Sequence, residues 1–290
     1  MRVTVLEVIQ RTTEYFARKG IANPRREAEW ILSHELGMPR LNLYLQFERV
    51  LTEAELDRLR EKVRRRAQRE PLAYVLGTAS FCGLELKVGP AVLIPRPETE
   101  VLAQKALAWA RQQQEQAAST LRILDFGTGS GCLAIFLAHE LPEAQVTAVE
   151  VSSEALAIAQ ENAQRHQVGD RIRWIQQAGL EGLEAEGPFD LIVSNPPYIP
   201  TAQIEQLEPE VKDHEPRIAL DGGPDGFTVI RQIAEKGLGL LAPGGRLYLE
   251  FGEGQEEQIP PLFEPLGWKT VEVIPDLSEK PRIYVAERPK

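Results

Sequence analysis

The residues best placed to do chemistry are Asn195-Pro196-Pro197-Tyr198. Neither proline carries an N–H, so the Asn195 side-chain oxygen and the Pro196 carbonyl are acceptors without a competing donor beside them. Two such acceptors can hold both N–H bonds of a planar –NH₂ group and turn the nitrogen lone pair toward an electrophile. Tyr198 can lie against the flat amide or ring that carries the group. The chemistry is an in-line displacement governed by positioning and electrostatics, and no strong base is compulsory. A bare Pro-Pro turn is the plain alternative. The apolar, β-branched run Phe189–Val193 argues against it, because that run reads as a buried parallel strand that presents the motif at its carboxyl end.

A second motif says what the electrophile is. Asp125-Phe126-Gly127-Thr128-Gly129-Ser130-Gly131 is a glycine-rich strand-to-helix turn, with amides expected to be free at the helix start. Its G-x-G-x-G spacing differs from the G-x-G-x-x-G of dinucleotide sites. A carboxylate just before the turn would repel a pyrophosphate but suit a ligand with an ammonium group. The glycines alone would also suit a mere tight turn or a dinucleotide site; with the acid they point to S-adenosylmethionine rather than NAD. Glu150 ends the next strand, 21 residues beyond Gly129, where an acid accepts hydrogen bonds from ribose hydroxyls. The four histidines lack partners at metal or triad spacing, and no metal site is expected.

The elements that must position these groups follow from periodicity. Residues 1–70 read as all-helical, with Asn23-Pro24 and the Thr52-x-x-Glu55 capping box opening helices. The run Arg64-Arg65-Arg66 is most simply a solvated helix face. Residues 71–95 carry interrupting glycines, as in a β-hairpin linker that includes Tyr74–Gly77. Thr99 is expected to cap a helix over Val101–Arg111, followed by a polar surface stretch over residues 112–120. From Leu121 strand and helix alternate. Strands are expected at 121–126, 145–150, 171–175, 189–194, 245–251, 268–274 and 282–287, with a helix near 255–266. This predicts an α/β fold with a doubly wound, mostly parallel sheet ending in a hairpin. The domains expected are a helical one over 1–70, the linker over 71–95 and a catalytic one over 96–290.

The chain has 290 residues, 43% hydrophobic and 26% charged, as expected of a soluble globular protein. Two cysteines in unrelated contexts, no signal peptide and no long apolar run make the cytoplasm the expected compartment. Residues 1–70 carry a net charge of +4 and the remainder −14. An acidic catalytic part is a poor non-specific binder of nucleic acid, so a protein partner with a basic face fits better.

Taken together these motifs resemble the HemK/PrmC family, the peptide chain release factor N5-glutamine methyltransferases. The likeness runs nearly end to end. It includes Leu93-Ile-Pro-Arg-Pro-Glu-Thr-Glu100, Asp125–Gly131, Asn195–Tyr198, Glu215-Pro216-Arg217 with Ala219-Leu220, and Glu250-Phe251-Gly252. N-P-P-Y alone is shared with DNA adenine and some RNA methyltransferases; joined to I-P-R-P-E-T-E and a helical N-terminal domain it is far more selective. The resemblance implies a Rossmann-like, seven-stranded methyltransferase sheet. It also implies methyl transfer from S-adenosylmethionine to the glutamine amide of the Gly-Gly-Gln motif in class 1 release factors. It places Gly127, Thr128, Gly129, Ser130 and Gly131 around the methionine part, Glu150 on the ribose, and Asn195, Pro196, Pro197 and Tyr198 on the glutamine amide. The helical domain would grip the release factor. Apart from the resemblance, a monomer is expected, off the membrane and without stable nucleic acid. Arg96, Glu98 and Thr99 would neighbour the pocket, in roles the sequence does not assign. The family often has Asp where Glu150 stands. After the third strand, Gln177-Ala178-Gly179-Leu180 replaces the usual acid and aromatic, so Leu180 is expected to pack on the adenine.

Other readings compete with this one. A ribosomal-protein glutamine methyltransferase would use the same clamp. A DNA or RNA amino-methyltransferase is disfavoured by the −14 balance of residues 71–290 and the lack of a long target-recognition insertion. A non-catalytic binding module is disfavoured by the intact N-P-P-Y and glycine turn.

Overall fold

The computed structural model describes residues 2–116 and 120–290. Their contacts divide into two compact units: residues up to Thr78 together with Glu208–His214, and residues Ala79–Leu207 together with Glu215–Lys290.

In the first unit α1 (Val5–Arg18) opens at a Thr4/Glu7 capping box, which satisfies two orphan donors at once. Pro24 occupies the first turn of α2 (Pro24–Glu35), but Asn23 is no side-chain cap: its backbone is left-handed, with φ 49°. α3 (Arg40–Leu45) is a short piece, and α4 (Glu53–Ala67) starts at the expected Thr52/Glu55 capping box. The Tyr74–Gly77 stretch belongs to a helical turn, α5 (Leu72–Leu76), not to a strand. Gly77, at φ 81°, ends it as only a residue tolerant of the left-handed region readily can. Val5, Ile9, Phe16, Ile31, Leu32 and Leu43 form the centre of this unit's core.

In the second unit β1 (Thr78–Phe81) and β2 (Leu84–Lys87) form a two-stranded hairpin. Helix α6 (Pro97–Gln116) starts earlier than expected, at Pro97, which needs no N–H partner there. Thr99 therefore lies inside the helix instead of capping it. Of the polar stretch 112–120, residues to Gln116 are helical, and 117–119 lie outside the described residues.

Strand and helix then alternate through β3 (Arg122–Phe126), α7 (Cys132–Glu140), β4 (Gln145–Glu150), α8 (Ser153–Arg165), β5 (Ile172–Gln176) and β6 (Phe189–Ser194). Next comes α9 (Pro209–Lys212), in the segment grouped with the first unit. There Glu210 accepts from Arg66 Nη2 at 3.0 Å and from Arg69 Nη2 at 2.6 Å, and Arg66 also pairs with Glu27. The arginine run is thus split: Arg64 is exposed, whereas Arg66 is only 4% exposed and held between two carboxylates.

The chain closes with α10 (Thr228–Leu240), β7 (Leu241–Glu250), α11 (Ile259–Phe263), β8 (Lys269–Pro275) and β9 (Pro281–Glu287). α11 is shorter than the expected helix because Pro260 and Pro261 favour a helix start at Ile259. Among the described residues the main sheet has seven strands in the order β5-β4-β3-β6-β7-β9-β8. Neighbours are parallel from β5 to β7, and β9 runs antiparallel to both β7 and β8. Alternate strand residues serve opposite faces. Ile123, Val146, Leu191 and Val193 pack with α6 and α7, while Leu124, Val149, Ile192 and Leu247 pack with α10 and α11.

Arg66→Ala would leave Glu27 and Glu210 without their shared buried cation. Breaking a buried pair costs about 3–5 kcal/mol. Urea unfolding of the variant should show a loss of that size; a loss under about 1 kcal/mol would mark the network as no stronger than a surface pair.

Candidate active site

Strands β3, β4 and β6 end at the point where strand order reverses, with β4 and β5 on one side of β3 and β6 on the other. Ligands of open parallel sheets bind there. A cavity of about 280 Å³ occupies this point, and its lining includes Gly127, Thr128, Gly129, Ser130, Glu150, Asn195 and Pro197. Gly131, Leu180, Pro196 and Tyr198 are not part of that lining.

The glycine turn is built for close approach. Gly127 and Gly129 have φ of +78° and +55°, with nothing within 4 Å of where a side chain would stand. Gly131, at φ +83°, serves packing: a Cβ there would meet Ile135 Cδ1 at 2.8 Å and Ala159 Cβ at 3.1 Å. The expected row of free amides is engaged in part. Gly127 N and Thr128 N donate to the Val149 carbonyl at 2.9 and 3.0 Å, Gly131 N to the Thr128 carbonyl at 2.8 Å, and Gly129 N to Glu150. These bonds tie most of the turn to the end of β4. Asn162, fully buried, reinforces it by donating from Nδ2 to the Ser130 and Lys87 carbonyls while its Oδ1 accepts from Lys87 N at 2.7 Å.

Asp125 also differs from expectation. It is fully buried, and its Oδ2 accepts from the Thr128 hydroxyl at 2.5 Å and from Ala134 N at 3.1 Å. Burial pushes its pKa up to about 7. It secures the turn and the start of α7 from beneath and does not line the cavity. Glu150 does line it, fixed by three backbone amides. Oε2 accepts from Gly129 N at 2.9 Å, and Oε1 accepts from Val151 N at 2.9 Å and Ser152 N at 3.0 Å. Each carboxylate oxygen keeps acceptor capacity for a ligand hydroxyl. Leu180 packs in the core at 2% exposure because the chain turns inward after β5; Gln177 and Ala178 line the cavity instead.

The register that sets Ser194 opposite Leu249 brings Asn195 beside Glu250 at the end of β7. The Thr99 hydroxyl donates to Glu250 Oε2 at 2.7 Å, and Asn195 Nδ2 donates to the Thr99 oxygen at 2.9 Å. The Tyr198 hydroxyl donates to Glu250 Oε1 at 3.2 Å. Glu250 is 1% exposed, and burial raises its pKa to about 7 against the pull of these two hydroxyls. Tyr198 therefore buttresses the motif from behind, where burial also raises the pKa of its phenol. Its carbonyl accepts from Gln255 Nε2 at 3.0 Å, and Gly222 and Gly226 pack on its backbone. At the cavity's far side Glu215 accepts from Arg96 and, at 3.1 Å, from Ile94 N, which anchors the Ile94–Thr99 segment.

Thr99 lines the cavity, as its expected place beside the pocket requires, but its bond to Glu250 was not foreseen, and neither were the parts played by Asn162 and the Asp221–Gly226 loop. Only Glu250 left a signal: an acid closing the apolar run Leu247-Tyr248-Leu249, where an unpaired charge would be costly.

Known proteins bear on this site. Residues 7–77 match the family model described as PrmC N-terminal domain, and residues 106–208 match the methyltransferase small domain. The release factor glutamine methyltransferase of Geobacter sulfurreducens is 48% identical over 265 residues, covering 91% of this chain and 90% of that protein. The protein of the same name from Moorella thermoacetica is 38% identical over 290 residues, 99% of each chain. A methyltransferase structure from Pyrococcus furiosus shares the fold, with TM-score 0.53 and 18% identity over 82% of this chain and all of that one.

Gly226 tests how tightly the motif is held. At φ +84° its added Cβ would stand 2.4 Å from the Tyr198 carbonyl oxygen and 2.6 Å from Gln255 Nε2. Gly226→Ala should destabilise the protein by about 2 kcal/mol or more in denaturant unfolding. An unchanged midpoint would show that the loop relaxes freely away from Tyr198.

Proposed function

The chain belongs to the release factor glutamine methyltransferase family, and we propose that it methylates the side-chain amide nitrogen of the glutamine in the Gly-Gly-Gln motif of class 1 peptide chain release factors. The observation that carries this reading is the Asn195 amide. One of its N–H bonds goes to Thr99, and its oxygen is left to accept from a ligand in the cavity that Asn195 lines.

S-adenosylmethionine is the methyl donor, and when bound it supplies a methyl group activated by a sulfonium. The residues present fit it. The open positions at Gly127 and Gly129 admit a ligand against the backbone, and Glu150 is oriented to accept from ribose hydroxyls. The apolar lining of Val149, Val151 and Ala155 suits the uncharged parts of the molecule. Among the described residues no cluster of His, Cys, Asp or Glu forms a metal site, and the reaction as proposed needs none.

Asn195 Oδ1 and the Pro196 carbonyl would accept the two N–H bonds of the substrate glutamine. Held so, the amide nitrogen presents its lone pair out of plane instead of sharing it fully with the carbonyl. Methyl transfer to that lone pair would place positive charge on the amide nitrogen, and Asn195 Oδ1 and the Pro196 carbonyl would stabilise it until one N–H proton left to water. Pro197 lines the cavity and shapes its wall, and Tyr198 fixes the loop from behind. The same clamp would admit an adenine amine, but residues 71–290 carry a net −14, which disfavours a polyanion. No described helix is long and apolar enough to cross a membrane. A monomer acting in the cytoplasm is the setting we propose, with the helical unit engaging the release factor.

Purified protein with S-adenosylmethionine and a class 1 release factor should add one methyl to the Gly-Gly-Gln peptide, read by mass spectrometry. The mark should vanish when that glutamine is replaced. Methyl transfer to purified DNA or RNA, with none to the release factor, would overturn the assignment. Asn195→Ala should slow transfer by about 10²–10³-fold, the scale of losing one placed polar partner, with cofactor affinity largely kept. Glu150→Gln should instead weaken cofactor binding by about 10–100-fold, corresponding to a lost charged hydrogen bond. Calorimetric titration separates the two.

A further inference from the structure

An asparagine amide can serve the substrate by either end, and something must decide which. Thr99 is 1% exposed and sits within α6, where a threonine hydroxyl commonly turns back onto its own helix. Here it spans two other elements, donating to Glu250 on β7 and accepting from Asn195 after β6.

We infer that Thr99 and Glu250 are positioning residues that set which end of the Asn195 amide faces the substrate. A hydroxyl has a single proton, and that of Thr99 is given to Glu250 Oε2. With Glu250 taking the Thr99 proton, the Thr99 oxygen can only accept, so it selects Asn195 Nδ2. Oδ1 is thereby turned away, toward the cavity. The Tyr198 hydroxyl occupies the other Glu250 oxygen, so both are committed. Flipping the Asn195 amide would set Oδ1 against the Thr99 oxygen with no proton between them. Its NH₂ would then face the donor –NH₂ it has to hold, and the clamp would repel its substrate. Glu250 is well placed for the role: it is 1% exposed, and its two oxygens accept from hydroxyls on two different elements. This inference rests on the glutamine-amide reading above.

Thr99→Val and Thr99→Ser separate orientation from packing. Valine keeps the shape and loses the hydroxyl; serine keeps the hydroxyl and loses a methyl. Orientation requires Thr99→Val to lower kcat about 100-fold with cofactor affinity preserved, and Thr99→Ser to lose less than about fivefold. The reverse order, with serine the worse variant, would overturn the inference in favour of packing. Thr99→Ala should behave like valine, and it carries the comparison if valine folds poorly.

A second readout needs no turnover. The Asn195 side-chain NH₂ signal, identified by its loss in Asn195→Ala, should be protected from hydrogen exchange in the wild type and Thr99→Ser. Thr99→Val and Thr99→Ala should lose that protection. Equal exchange in wild type and Thr99→Val would refute the positioning role whatever the activity. Absence of transfer by the wild type to a Gly-Gly-Gln release factor would count against the functional reading alone.

Discussion

A carboxylate with no water to solvate it must find donors within the fold, and Glu250 meets that demand with two hydroxyls from different elements. This constraint ties β7 to α6 and to the loop after β6. The parallel register of β3, β6 and β7 brings the strand ends together, but register alone places only backbones. Side-chain orientation at the end of β6 depends on proton donors arranged around one buried acid. Asp125, two strands away on β3, repeats the device in part, since its Oδ1 is buried without a partner. It is a buried acid whose bonds to Thr128 and Ala134 fix the glycine turn while leaving the cavity to others.

The two halves of the site are therefore built alike and present different surfaces. The glycine turn gives most of its amides to the end of β4 and offers open space at Gly127 and Gly129. At the end of β4, Glu150 is locked by three amides and keeps acceptor capacity toward the cavity. The N-P-P-Y segment brings Asn195 and Pro197 to the cavity. A carboxylate in the lining suits hydroxyls and positive charge and discourages phosphate. Catalysis in such a site comes from what is already fixed before substrate arrives, as expected for a displacement whose barrier falls with alignment.

Much of this was legible in the amino-acid order. Seven strands, their alternation with helices, the glycine turn, Glu150 and the N-P-P-Y motif are local signals carried by period, turn chemistry and spacing. The illegible parts are pairings between distant residues. Thr99 looked like a cap because its sequence neighbours suit one; Pro97 started the helix instead, and a residue 151 positions away claimed the hydroxyl. Arg66 looked like one more solvated arginine until Glu210, 144 residues on, was brought beside it. Leu180 looked available for a ligand, but the turn after β5 carries it into the core. Asp125 looked like a ligand for an ammonium group because its type and strand-end position fit; burial gave it a structural partner set.

The orientation of the Asn195 amide would be visible in the protein crystallised with S-adenosylhomocysteine and a Gly-Gly-Gln peptide. The account requires the glutamine side-chain nitrogen to lie within hydrogen-bond range, about 2.7–3.2 Å, of both Asn195 Oδ1 and the Pro196 carbonyl. The cofactor sulfur should lie on the far side of that nitrogen, in line for transfer. A glutamine carbonyl oxygen facing Asn195, with its nitrogen directed elsewhere, would contradict it.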